Sequence, residues 1–262
     1  APFLREILHS LLSAFLPATD SSAFDGVKNV LLVDTSIIRQ DGKQQNQQRI
    51  HLCYSLNENR MKQVKVSDQH TAESLAHFSM KKGDLVMADA VYGTAQNFIY
   101  AQEQGADVIL RITPKNFCLY HTEGEKISLT TLLKKAEEKH MEWIDVFGFC
   151  RYKGKTGFIR VIAYRLPDEQ AAKARKRKTQ KASKNQHQIQ AETLLSAGWI
   201  TLVTSLGKEY CGEEIIHLYR SRWQVELLFK RFKQNFSIRT RKADSSAYAE
   251  TETLLWLIIW TI

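Results

Sequence analysis

Two short runs constrain this chain more than any other feature. Val30-Leu-Leu-Val33 and Leu85-Val-Met-Ala88 are wholly apolar, with no polar residue to mark a wet face. Apolar runs that do not alternate are the pattern of strands covered on both faces. Strands of that kind need helices on either side of a sheet, so the chain is expected to be α/β. Each run is closed by an aspartate, Asp34 and Asp89. Strand ends are where α/β architectures gather their sites. An aspartate also opens turns for local reasons, and for either residue alone both readings stand.

The elements around these runs follow from periodicity. Residues 3–16 have helical spacing, and a polar linker follows. Ile50–Ser55 and Gln63–Ser67 alternate apolar and polar, as half-buried strands do. Turn residues around Gly42 and at Asn57–Asn59 join three strands into an antiparallel meander. Thr71–Lys81 and Ala95–Gly105 read as helices, and Asp107–Thr113 as a strand stopped by Pro114. The order βββαβαβ is that of the ribonuclease H fold, a mixed sheet flanked by helices, in which the ends bearing Asp34 and Asp89 can be neighbours.

Residues 115–198 do not continue that pattern. Phe117–Tyr120, Trp143–Phe149 and Phe158–Arg165 read as strands, with a helix over 129–139, so a β-rich insertion is expected. Within it, Lys173–Lys184 carries seven basic residues and no acidic one: Lys173, Arg175, Lys176, Arg177, Lys178, Lys181 and Lys184. This run is expected to be flexible and to bind phosphates. Trp199–Ser205 is a strand returning to the sheet. The expected organisation is therefore an N-terminal helix and linker (1–26), a first core segment (27–114), the insertion (115–198) and a closing core segment (199–262).

The closing segment contains Tyr219-Arg-Ser-Arg-Trp-Gln-Val-Glu-Leu-Leu-Phe-Lys-Arg-Phe-Lys233, read as one long helix. At roughly 100° per residue, Tyr219, Arg222, Glu226 and Lys233 fall within about 60° of one another. Leu218, Val225, Phe229, Phe232 and Phe236 form an apolar stripe beside them. A carboxylate at the edge of an apolar face needs compensation. Arg222, Lys233 or a metal ion can supply it, and an ordinary intrahelical charge cluster explains the same residues.

The spacing Tyr-x2-Arg-x3-Glu-x6-Lys resembles the signature of the insertion-sequence transposases of family four, which are DDE transposases. The resemblance covers most of the chain. It implies a ribonuclease H-like core with a β-rich insertion before the catalytic-Glu helix. It implies that Asp34 (in Leu-Val-Asp-Thr-Ser), Asp89 (in Met-Ala-Asp-Ala-Val-Tyr-Gly) and Glu226 are the catalytic and metal-binding triad. It also implies that Tyr219, Arg222 and Lys233 hold transposon-end phosphates and that Trp199 stacks on a flipped base. Val91 stands where members often carry Gly.

The chemistry of the side chains agrees with that picture. Gathered carboxylates suit two hard cations roughly 4 Å apart. Mg²⁺ is expected, with Mn²⁺ able to substitute. Arg222 offers phosphate a bidentate fork and Lys233 a point charge. The net charge of +9 asks for an anionic partner, and nucleic acid leads. Cys53, Cys118, Cys150 and Cys211 lie far apart without a CxxC, which fits a reducing cytoplasm better than a disulfide scaffold or zinc site. The apolar tail Leu254–Ile262 is too short to span a bilayer, and no membrane partner is expected. The chain starts without Met and ends within an apolar helix, so it reads as part of a longer protein. The expected function is cleavage of transposon-end DNA and strand transfer into target DNA, by a homodimer in the synaptic complex. Another ribonuclease H-fold nuclease such as a resolvase, or an inactive DNA-binding remnant, are the alternatives.

Overall fold

A computed structural model of the chain describes residues 2–14, 24, 26–39, 47–121, 124–235 and 246–261. In chain order the elements begin with α1 (Pro2–Ala14), β1 (Asn29–Arg39), β2 (Gln47–Ser55), β3 (Arg60–Asp68), a 3-10 turn at Leu75–His77 and β4 (Asp84–Ala88). Next come α2 (Ala95–Glu103), β5 (Asp107–Arg111), β6 (Leu119–Tyr120), β7 (Lys126–Ile127), α3 (Leu129–Glu138), β8 (Trp143–Tyr152) and β9 (Lys155–Arg165). The chain closes with α4 (Asp168–Lys184), α5 (Ala191–Ala197), β10 (Trp199–Thr204), α6 (Gly212–Arg220), α7 (Trp223–Asn235) and α8 (Ser246–Thr261). The fold is α/β and ribonuclease H-like, with largely antiparallel strands and flanking helices. It divides into two compact units, Ala1–Met87 with Ser221–Ile262, and Ala88–Arg220.

In the first unit the strand order is β3-β2-β1-β4. β1 and β2 pair antiparallel from Leu31 opposite Ser55 to Arg39 opposite Gln47, and β2 pairs antiparallel with β3. The expected meander is therefore present; its Gly42 turn lies outside the described residues. Leu32, Val33, Leu52, Leu85, Val86 and Met87 are fully buried, each stabilising the fold by about 1.5–3 kcal/mol. α7 packs on β1, while α1 and α8 pack together and against β3. The doubly covered run predicted at Val30–Val33 is thus observed. Its strand is longer than expected, because β1 continues to Arg39.

The helix expected over Thr71–Lys81 does not form; a single 3-10 turn at Leu75–His77 stands in its place. Side chains capture the backbone groups a helix would need. Gln63 bonds both the N–H and the C=O of Ser79, each at 2.8 Å. The His77 ring donates to the carbonyl of Ala72, and Asp68 accepts from the amides of His70 and Thr71. So short a helix has little cooperative stability with which to compete.

The second unit is antiparallel throughout its paired strands, in the order β5-β10-β9-β8-β6-β7. The strands between residues 115 and 198 extend this sheet, with β10 seated between β5 and β9. α2 covers one face of β5, β8 and β9, and α5 packs on β10. The Lys173–Lys184 run, expected as a flexible loop, is helical and forms most of α4. Asp168 and Glu169 lie in its first turn and Lys181 and Lys184 in its last, the order the helix dipole favours. Its alanines have high helix propensity, and Lys173 pairs with Glu169 one turn back at 2.5 Å.

The first unit contains a histidine that must stay neutral. His51 is fully buried. Its Nδ1 lies 3.0 Å from Thr35 Oγ1 and its Nε2 2.9 Å from Ser67 Oγ, with the His77 ring edge-on at 4.6 Å. Burial, then the neighbouring charges of His77, Lys65 and Arg49, lower its pKa from 6.5 to about 4. The unfolded chain binds a proton at this site below its ordinary pKa and the folded chain does not. His51 therefore contributes stability above pH 6.5 that is lost as pH falls towards 4. Between pH 7 and 4.5, His51→Gln is expected to lose less stability than the parent chain, by no more than about 2 kcal/mol. Urea unfolding across that range measures the difference.

Candidate active site

Asp34 does not end its strand. It sits within β1, opposite Leu52 and directly after four buried residues. Its Oδ1 accepts from the Thr35 amide at 2.8 Å, and its Oδ2 lies 3.8 Å from the Arg222 guanidinium. The same guanidinium donates to Glu226 Oε1 through its Nη2. Arg222 is thus held between two carboxylates from a strand and a helix far apart in sequence. The Arg222 and Asp34 side chains are 13% and 17% exposed, whereas Glu226 is 58% exposed. The Asp34 contact is therefore the less screened of the two, and water weakens the Glu226 pair.

The long helix predicted through Tyr219 and Lys233 is two helices. α6 ends at Arg220, a turn spans Ser221 and Arg222, and α7 begins at Trp223. The break places Glu226 in the first turn of α7, where a carboxylate meets the positive end of the helix dipole. Lys233 is half-buried in the last turn of α7. Seven residues, about two turns, separate it from Glu226, so both keep to one side of that helix. Phe236, the end of the expected apolar stripe, lies outside the described residues.

Asp89 belongs to the second unit, immediately after β4. Its Oδ1 accepts from the Val91 amide at 2.9 Å, closing a tight turn. Val91 is exposed and does not have a positive φ, so this turn does not require Gly at that position. Gly93 is the residue it does require, since a Cβ there would lie 2.0 Å from the Arg111 carbonyl oxygen. Asn116 donates to the carbonyl of Ala90, and Asn97 to that of Tyr92 at 3.0 Å. Tyr219 is 7% exposed, and its phenol donates to the carbonyl of Ala88 at 3.3 Å. It braces the residue before Asp89 from its buried side.

Trp199 is also buried, at 1% exposure, and its indole N–H donates to Glu137 Oε1 at 3.2 Å. Trp199 is thus packed in the core of the second unit, at the start of β10. Glu137 also lies 3.5 Å from Arg175, whose Nε donates to the carbonyl of Leu194. Arg175 therefore fastens α4 to the unit. Lys173, Lys176, Arg177, Lys181 and Lys184 are exposed away from that side, whereas Lys178, also exposed, lies on the side of Ala171 and Arg175.

The model for the transposase DDE domain matches residues 25–262. This chain belongs to the transposase DDE domain family. The chain is 29% identical over 228 residues to the putative transposase InsL for insertion sequence element IS186A of Escherichia coli K12. It matches the transposase for insertion sequence element IS421 of Escherichia coli at the same identity and length. In both cases 85% of this chain aligns with 62% of the relative, so the chain spans about three fifths of their length. It is 25% identical over 174 residues to the transposase for IS231E of Bacillus thuringiensis subsp. finitimus, with 61% of this chain and 36% of that protein aligned.

DDE domains work with divalent metal ions, and the donors here fit such ions in kind, being hard carboxylate oxygens. Among the described residues, no three acidic, histidine or cysteine side chains form a group able to hold an ion. The thiols offer no alternative at Cys53 and Cys150, where burial pushes each pKa up to about 12. Sequence reasoning did not pick out Gly93, Asn97 and Asn116, which shape the turn of the DDE domain at Asp89. Only the glycine of Asp89-Ala-Val-Tyr-Gly93 hinted at a close backbone approach. Gly93→Ala forces the Arg111 strand to move and is expected to destabilise the domain by about 1–3 kcal/mol. A lowered urea midpoint with an unchanged slope checks this.

Proposed function

We propose that this DDE domain is the catalytic part of a DNA transposase, cleaving transposon ends and joining the freed 3′-hydroxyl to target DNA. The observation that carries the reading is Arg222, which draws Asp34 and Glu226 into one charge cluster in a chain matching the family from residue 25 to 262. Asp34, Glu226 and Asp89 would hold Mg²⁺, with Mn²⁺ able to substitute and two ions as the working number. When bound, such ions activate water and stabilise the oxygens that attack and leave phosphorus.

The chain's own residues have separable tasks. Arg222 screens the repulsion between Asp34 and Glu226, and its fork matches a phosphate's oxygens when DNA arrives. Lys233 adds a point charge on the same helix. Tyr219 keeps the Asp89 turn in place from its buried side. The outward face of α4 carries Lys173, Lys176, Arg177, Lys181 and Lys184, and engages the DNA backbone without reading bases. Two copies of the protein pair the two ends in a synaptic complex, acting on the bacterial nucleoid in the cytoplasm.

Asp34→Ala, Asp89→Ala and Glu226→Ala are each expected to abolish Mg²⁺-dependent cleavage of end DNA while leaving DNA binding intact. Cleavage at the parental rate by any of the three refutes the assignment. For α4, Lys176→Gln/Arg177→Gln/Lys181→Gln is expected to weaken binding equally on all sequences. It should also lower the slope of log affinity against log salt by about 2–3. An unchanged slope removes α4 from the DNA interface.

A further inference from the structure

The outer face of the β8–β9 hairpin carries an aromatic patch that the site described above does not use. The register sets Phe149 opposite Phe158 and Phe147 opposite Arg160. Residues two apart on a strand share a face, so the three rings stand on one side. The other side, with Cys150, Ile159 and Val161 buried, lies towards α2. Phe158 is the centre of the patch. It stacks on Phe147 at 5.4 Å and 12°, and meets Phe149 edge-on at 5.4 Å and 62°. Even so, it is 53% exposed. One exposed phenylalanine is ordinary, but a contiguous set of rings asks for an occupant.

Cations border the rings. Lys208 Nζ lies 5.4 Å from the centre of Phe147. The Arg151 guanidinium lies 5.0 Å from the ring of Tyr120, which pairs with Phe149 across β6 and β8. Arg160 is the scaffold beneath. Both its Nε and Nη2 bond Asp145 at 2.8 Å, and its Nη1 bonds the carbonyls of Gly207 and Tyr210. These bonds fix Arg160 beside the Phe147 ring, 5.9 Å from its centre, so that part of the surface is set before any ligand arrives. The middle of a protein–protein contact is depleted of lysine, whereas stacking surfaces for single strands interleave aromatic rings with cations.

We propose that Phe147, Phe149 and Phe158 form a stacking platform for unpaired bases of single-stranded DNA, with Arg151 and Lys208 holding the flanking phosphates. This rests on DNA being the substrate of the domain. It adds a site for the strand that leaves the duplex.

The test uses the whole chain and a short single-stranded oligonucleotide carrying 2-aminopurine, whose fluorescence is quenched by stacking. The parent chain is expected to quench it on binding. Phe158→Ala is expected to bind about tenfold more weakly and without quenching, and Phe158→Tyr to restore both. Equal affinity and quenching in Phe158→Ala overturns the platform, and so does a parent chain that binds without quenching or does not bind. A parent dimer lost in Phe158→Ala with oligonucleotide affinity unchanged overturns it in favour of contact between copies. Cleavage of duplex ends is scored separately. Loss of cleavage alone strikes the catalytic assignment and leaves the platform standing.

Discussion

One guanidinium decides the character of this domain's first unit. Arg222 stands in a two-residue break between helices and reaches both a carboxylate embedded in a central strand and one on the following helix. Asp34 and Arg222 are both largely removed from water, where an ion pair is less screened than at the surface. Arg222 lies in the turn just before α7, within reach of β1. The same break puts Glu226 in the first turn of α7, where the helix dipole favours a carboxylate.

The Asp89 turn shows a different strategy. There the carboxylate is positioned by backbone bracing, and no ion pair holds it among the described residues. Gly93 lets two backbone segments approach more closely than a side chain permits. Asn97, Asn116 and Tyr219 then satisfy the carbonyls of Tyr92, Ala90 and Ala88 in turn. Each such bond is worth only about 0.5–1.5 kcal/mol, but together they fix one conformation of a short loop. A residue that looks like a DNA contact in sequence, Tyr219, belongs to this bracing set. Trp199 likewise belongs to the core and shares Glu137 with Arg175. A polar or aromatic residue in a family signature can thus serve the site through another residue.

The Asp34–Arg222–Glu226 cluster joins residues that the sequence alone had singled out. The apolar runs before Asp34 and Asp89, and the spacing of Tyr219, Arg222, Glu226 and Lys233, single out the residues around which the structure is built. What misled was local reading of segments whose conformation is set by distant partners. Thr71–Lys81 has helical periodicity, but Gln63 and Asp68 claim its backbone groups. Lys173–Lys184 looks disordered by charge, but Ala171 and Arg175 dock it and its end charges suit a helix.

The sequence by itself determined the α/β class, the doubly covered strands and the identity of the acidic and basic residues, because hydrophobic period and residue chemistry are local properties of the chain. The tertiary structure alone decided which of those residues are available. It buried Tyr219 and Trp199, broke the helix at Arg222 and left Phe158 on an open face. Exposure and ion pairing depend on what packs against a residue from elsewhere in the chain, and no window of neighbouring residues carries that information.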